Sequence, residues 1–266
     1  MEDKMLKRLP YLMLFLAMLT PLRASPPIGA VVQTWSYDPT HNPPLVTLKI
    51  VNTSHTDITA FNIAIKETYA NGRVEQHEML EDLVGKILAA KELQGDASRG
   101  AENFRRLYGD GAFHAGAVWD EKLPVQPGLT DYQAVVDVVT YMDSTAESTN
   151  DDALGRIVEE RQATVASQKI ITEAIQTALA DPNDTDPAMA AVKKIQDRAT
   201  IWKAQQHTKI DLDAVRLESM ADELKTVSSR NANKRDALKQ IVNREEARMS
   251  VLSVHAALVN TTGGPK

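Results

Sequence analysis

Side chains able to do chemistry are thinly spread along this 266-residue chain. The six histidines are His41, His55, His77, His114, His207 and His255. They form no H-E-x-x-H, and no two fall at the spacing that lets imidazoles share a metal on one helix face. His77-Glu78 has the opening of a metalloprotease helix but lacks the second histidine four residues on. The run Asp181-Pro182-Asn183-Asp184-Thr185-Asp186 starts like a calcium loop. Asp186 then stands where that loop needs glycine, and Val192 where it needs a bidentate Glu, so the run reads as an acidic turn that caps a helix. Gly109-Asp110-Gly111 is too short to cradle a phosphate, and neither G-x-S-x-G nor a Walker loop occurs. Glu67, Asp120 and Glu121 remain as carboxylates for acid–base work, and they would act only if brought to a cleft between the two halves of the chain with shifted pKa values. The sequence assigns no catalytic, cofactor-binding or metal-ligating residue.

Cysteine is absent, which excludes disulfides, thiolate metal sites, thiol catalysis and a lipid-modified cysteine together. The chain carries 30 basic and 36 acidic residues. Without Lys4, Lys7, Arg8, Arg23, Glu2 and Asp3 it would carry 26 against 34, a net charge of −8. An acidic surface of this kind argues against a nucleic-acid partner.

Leu9 to Leu22 is an apolar stretch preceded by Lys4, Lys7 and Arg8 and followed by Leu22-Arg23-Ala24-Ser25, the three-part layout of a secretory signal. It is shorter than the roughly 20 residues that span a bilayer. The expectation is a signal peptide over residues 1–24, cut after Ala24, with Ala30 as a second possible site and Met5 as an alternative start to Met1. No later stretch is apolar enough to cross a membrane, and the mature protein is expected to be periplasmic or secreted.

Past the spacer Ser25-Pro26-Pro27, the chain alternates as strands do. Val46, Leu48 and Ile50 lie on one face against Thr47 and Lys49, and Phe61, Ile63 and Ile65 point inward against Asn62, Lys66 and Thr68. Asn71-Gly72 is a hairpin tip. Glu78 to Tyr108 changes to helical spacing at Leu80, Leu83, Val84, Ile87 and Leu88, with Gly95 and Gly100 as breaks. Strand signals return at 117–123 and 131–141. An antiparallel β-sandwich with one wet face is therefore expected over residues 30–143, with a helical insertion at about 78–108. Trp35, Tyr37, Phe61, Trp119 and Tyr132 are expected to fill its core. Asn52-Thr53-Ser54, Asn183-Asp184-Thr185 and Asn260-Thr261-Thr262 fit the glycosylation sequon.

The segment from Val46 through Ile63, with Tyr69-Ala70-Asn71-Gly72-Arg73-Val74, resembles the N-terminal hairpins of FxLYD-type, Ig-like extracytoplasmic β-sandwich domains. Phe113-His114-Ala115-Gly116 is similar to the turn before a later strand in that family, with Ala115 where proline is usual. The resemblance spans at most residues 30–143. It implies a binding or envelope role and brings no catalytic residues with it.

From Asn150 onward the period is helical, with a stripe of Leu154, Val158, Arg161, Val165, Gln168, Ile171, Ile175 and Leu179. Asp186-Pro187 starts a second helix with Met189, Val192, Ile195, Ala199 and Trp202 on its stripe. Whether a break falls at 206–211 is left open. A turn follows at 228–231, and the last helix uses Leu238, Val242, Glu245, Met249, Leu252, Ala256 and Val259. Arg161, Gln168 and Glu245 at seam positions give loose coiled-coil character. The expectation for residues 150–260 is an antiparallel helical bundle or hairpin, with a disordered tail at 261–266.

The chain as a whole reads as α+β and as a non-catalytic binding or structural protein of the cell envelope, without cofactor, working through an envelope partner or self-association. Two alternatives stand beside this reading: a hydrolytic enzyme of unfamiliar type using the carboxylates above, and a helical groove that binds lipid or peptide.

Overall fold

The computed structural model describes residues 28–205, 212–230 and 233–261. The expected signal segment, residues 206–211 where a break is left open, and most of the expected tail lie outside them, as does Asn231, while Ser228, Ser229 and Arg230 of the expected turn are helical. Strands β1 (Ala30–Asp38), β2 (Leu45–Asn52), β3 (Ile58–Tyr69) and β4 (Val74–Asp82) lead to helices α1 (Val84–Glu92) and α2 (Arg99–Tyr108). Strands β5 (Val118–Pro124), β6 (Leu129–Tyr141) and β7 (Thr145–Ser148) follow. Helices α3 (Asp151–Ala180), α4 (Pro187–Gln205), α5 (Leu212–Arg230) and α6 (Lys234–Ala256) precede a two-residue strand β8 (Val259–Asn260). The class is α+β: N-terminal antiparallel sheets, then a region of several helices.

One sheet runs β1-β2-β5 and the other β4-β3-β6-β7-β8. Period two sends Val46, Leu48 and Ile50 from β2 and Phe61, Ile63 and Ile65 from β3 into one core, which Leu83, Phe113, Tyr132 and Val139 complete. Gly72, with φ of +81°, turns β3 into β4, as Asn71-Gly72 predicts. Trp35 departs from the core expectation. It is 42% exposed, and its ring centre lies 5.5 Å from that of the buried Tyr132 with the two planes tilted by 45°.

Three further expectations are corrected. Glu78 to Asp82 is not helical. It extends β4, pairing with Ala64 to Ala60 of β3, because hydrogen bonding to a buried neighbour outweighs the local helical spacing. Gly100 lies inside α2 and breaks nothing. The second sheet is not wet across its outer face, because Ala153 and Ile157 of α3 pack on Ala60 and Val138, burying Asn62 and Thr140 beside them.

Helix α3 spans about 45 Å at 1.5 Å per residue. Asn150 caps it by accepting from the Ala153 amide. Its far half joins α4, α5 and α6 in a second core built on Ile171, Ile175, Val192, Ile195, Leu217, Leu224, Leu238 and Val242. Met189, expected in the α4 stripe, is exposed, and Ala188 and Ala191 are buried in its stead. Asp186 takes the role of helix cap, accepting from the Met189 amide at 3.3 Å, Ser228 Oγ at 2.6 Å and Lys234 Nζ at 2.8 Å. The last helix stops at Ala256, and Val259 passes into β8, which pairs in parallel with β7 of the second sheet.

Candidate functional site

Helices α1 and α2 roof a cleft against the sandwich. The Val84 amide donates to Asp82 Oδ1 at 3.0 Å and starts α1, whose buried face of Val84 and Leu88 meets Leu252 of α6. Gly95, with φ of +84°, follows the end of α1. Ser98 caps α2 by accepting from the Ala101 amide. The Arg105 guanidinium reaches back from α2 to the carbonyls of Leu93 and Asp96, both at 2.9 Å, and so fixes the loop between the helices.

The chain leaves α2 through Gly111, where φ is +85° and a Cβ would lie 2.5 Å from the Ile87 backbone nitrogen. Only glycine lets this strand of chain press against the first turn of α1. Two residues later Phe113 enters the sandwich core and bridges to Ile58.

The cleft so formed measures about 730 Å³, within the range of small-molecule sites. Ile87, Ala90, Ala112 and Met142 give it apolar walls, while Asp57, Lys91, Arg105 and Asp110 bring charge to it. At its margin, His114 Nδ1 lies 3.1 Å from Asp57 Oδ2 and His114 Nε2 lies 3.0 Å from Asp110 Oδ1. The hydrogen bond that the imidazole donates to Asp57 raises the His114 pKa above the ordinary value, burial opposes this, and the Asp110 charge reinforces it. With both ring nitrogens engaged, this imidazole has none free to accept a proton from a substrate. It acts as a clamp between the β2–β3 turn and the segment after α2. Asp57 strengthens the clamp by also accepting from the Ala115 amide at 3.1 Å.

A second groove of about 810 Å³ lies on the part of the outer sheet face that α3 leaves open. It is wetter, lined by Lys66, Gln76, Gln133 and Val135, and an ion pair between Glu78 and Arg156 stands at its side.

The three carboxylates singled out from the sequence do not meet. Glu67 is buried in the sandwich and accepts from the Tyr69 hydroxyl. His77 Nε2 is 3.7 Å from it, beyond hydrogen-bond reach. Asp120 faces solvent 4.0 Å from Lys49, and Glu121 accepts from Trp119 Nε1 at 2.9 Å. The junction of the two halves holds Arg161 and Asp82, near Thr59, and Glu67 is roughly 26 Å from Thr59 along β3 at 3.3 Å per residue. Among the described residues, no group of three or more His, Asp or Glu could hold a metal ion. Of the sequon residues, Asn52 is fully buried, and its amide nitrogen donates to the carbonyls of Thr56 and Phe113, which leaves that atom closed to a glycan.

Nothing local in the sequence marks Asp57, His114 and Asp110 as partners. Asp110 and His114 are four residues apart in a non-helical segment, and Asp57 comes from a turn 57 residues earlier, so only the tertiary fold unites them.

No protein-family model matches the chain, and no curated protein matches it. A solved structure of a hypothetical protein from Peptoclostridium difficile 630 is similar over 51% of this chain and 92% of that one, with 10% sequence identity and a TM-score of 0.29.

Proposed function

We propose that the chain is an exported, non-catalytic binding protein of the cell envelope that takes a small, largely apolar ligand in the cleft beneath α1 and α2. The observation that carries this reading is the state of the polar groups around the cleft. Asp57, Asp110 and His114 satisfy one another, and Arg105 is spent on two backbone carbonyls, so these four groups are engaged in the framework around an apolar volume and are not poised for proton transfer. The apolar stretch between Leu9 and Leu22, with its basic flank and Ala24, supports export. The likeness of residues 46–74 to FxLYD-type hairpins supports a binding role, and the helices α3 to α6 offer the surface for an envelope partner or a second copy.

The test is titration with 1-anilinonaphthalene-8-sulfonate, whose emission rises in apolar surroundings, on the folded protein and on Ala90→Trp, which fills the cleft from its wall. Saturable binding that disappears in Ala90→Trp, with the melting temperature unchanged, is the expected result. Equal binding by both proteins, or none by either, would remove the cleft as a binding site.

A further inference from the structure

We infer that the functional mature chain retains Ile28, Gly29 and Ala30, so that of the two small-residue junctions available for signal removal the cut after Ala24 yields the working protein and a cut after Ala30 does not. This inference rests on the export half of the reading above. A signal is removed from an extended chain, so the fold shields neither bond. What the fold decides is which product is stable.

Each of the three residues is built into the body. Ile28 is 5% exposed and belongs to the sandwich core. The Gly29 amide donates to Glu147 Oε2 at 2.8 Å, and the Gly29 carbonyl accepts from the amides of Thr53 at 2.9 Å and Ser54 at 3.1 Å. Ala30 is 1% exposed and forms the first pair of β1 with β2, opposite Asn52. The site is also a corner where both ends of the described chain meet. Glu147 sits on β7, and β7 pairs with β8 through Thr145 opposite Val259 and Ala146 opposite Asn260, with the Thr261 amide donating to the Ala146 carbonyl at 2.7 Å.

A cut after Ala30 would take away a core side chain, leave the Thr53 amide without the Gly29 carbonyl and the Ser54 amide with Asn52 Oδ1 alone, and remove the Gly29 amide from Glu147 at the strand that holds β8. Residues 28–30 therefore behave as part of the first strand and not as a spacer. Ser25-Pro26-Pro27 is the only stretch between Ala24 and this built region. The boundary that the apolar stretch leaves open between two alanines is thus decided by what the sheet needs.

The first arm of the test expresses the full precursor in an exporting bacterial host and measures the intact mass of the folded, soluble product. A chain beginning at Ser25 is expected, and a folded chain beginning at Val31 would overturn the inference. The second arm compares chains made directly without a signal, one beginning at Ser25 and one at Val31. The Val31 chain is expected to melt about 10 °C lower or to show no cooperative transition, given the buried side chain and hydrogen bonds it loses. Equal melting temperatures would overturn the inference. A precursor left uncut in the host would refute export itself while the second arm still decides the role of residues 28–30.

Discussion

Arg161 and Asp82 form a two-pronged ion pair across the junction of helix and sheet, Nε to Oδ2 at 2.8 Å and Nη2 to Oδ1 at 3.1 Å. Arg161 lies on α3 and is 2% exposed, and Asp82 ends β4. The same guanidinium donates to the His255 carbonyl at 3.0 Å, one residue before α6 ends, and to Thr140 Oγ1 on β6 at 3.1 Å. With the Thr59 carbonyl of β3 at 3.4 Å from Nη2, one side chain joins three strands and two helices, and its planar fork of donors suits this task as a lysine would not.

Arg161→Ala should therefore destabilise the protein by about 3–5 kcal/mol, because it leaves the Asp82 carboxylate without its cation at the junction. Arg161→Lys should recover only part of this, since a single ammonium cannot bridge the same acceptors. Urea unfolding of the three proteins measures both effects. An Arg161→Ala protein within about 1 kcal/mol of the wild type would contradict the role given to the pair.

Glu245 on α6 is fully buried and anchors the helical region from within. Gln168 Nε2 reaches it at 2.8 Å, Arg244 Nε at 2.9 Å, Arg248 Nη1 at 3.1 Å and Arg216 Nη2 at 3.5 Å. Burial works to raise its pKa, but Arg248, Gln168 and Arg244 outweigh burial and hold the carboxyl below the usual value. Because the folded pKa is depressed, the stability this group supplies is complete above the unfolded value of 4.5 and drains away as pH falls through the folded one. Glu245→Gln should lower stability at neutral pH and flatten the acid limb of a stability–pH curve. An acid limb identical to that of the wild type would show that the carboxylate contributes nothing to it.

Legibility in the sequence follows from how local each signal is. Val46, Leu48 and Ile50, and likewise Phe61, Ile63 and Ile65, announce their strands because alternation is a property of neighbours. The caps at Asn150 and Asp186 are legible for the same reason. Strand β7, with four residues, and β8, with two, are too short to show a period, and β8 exists only because β7 offers it an edge. Arg161, Gln168 and Glu245 stand out as polar residues on apolar stripes, which reads as a weak helical seam. Asp82 meets Arg161 from β4, Gln168 and Glu245 meet each other across α3 and α6, and Arg216 reaches Glu245 from α5 while Arg244 and Arg248 lie on its own helix, so the stripe marks where something is buried and not all of what it meets. The cleft is hidden for the same reason, since Asp57, Ile87, Arg105 and Met142 share no local pattern.

Two histidines should push stability in opposite directions with pH. His114, held by Asp57 and Asp110, has a raised pKa, so its contribution is complete below the unfolded value of 6.5 and is lost as pH rises through the folded value. His255 is buried, and burial first, with the nearby Arg161 and Lys91 charges also acting against protonation and Asp82 favouring it, lowers its pKa. Its contribution is complete above 6.5 and is lost as pH falls through the folded value. The melting-temperature difference between wild type and His114→Gln should be largest at about pH 5 and shrink above about pH 7, whereas that for His255→Gln should grow with pH over the same span. His114 is half exposed, so its effect should be the smaller and should weaken in high salt. Parallel pH trends in the two variants would contradict these assignments.

Gly29 and Tyr141 provide the sharpest test of how the first strand enters the fold. A Cβ at position 29 would lie 1.8 Å from the Tyr141 hydroxyl oxygen, 2.8 Å from the ring carbon that bears it and 3.0 Å from Ser54 Cβ, and Tyr141 is buried with little room to retreat. Gly29→Ala should therefore cost about 2 kcal/mol or more through overpacking, although the alanine adds only one methyl group. Tyr141→Phe removes the atom in closest conflict and leaves the ring, so adding it to Gly29→Ala should return part of the lost stability. A Tyr141→Phe background that makes Gly29→Ala no milder would show that the clash is not with the hydroxyl. The physical point is that β1 and the end of β6 approach to the distance of a backbone without a side chain, and that closeness lets the Gly29 amide reach Glu147 and its carbonyl receive Thr53 and Ser54. A methyl group there would separate both sets of partners at once, so the loss in Gly29→Ala should exceed that of Glu147→Gln, which keeps an acceptor for the same amide.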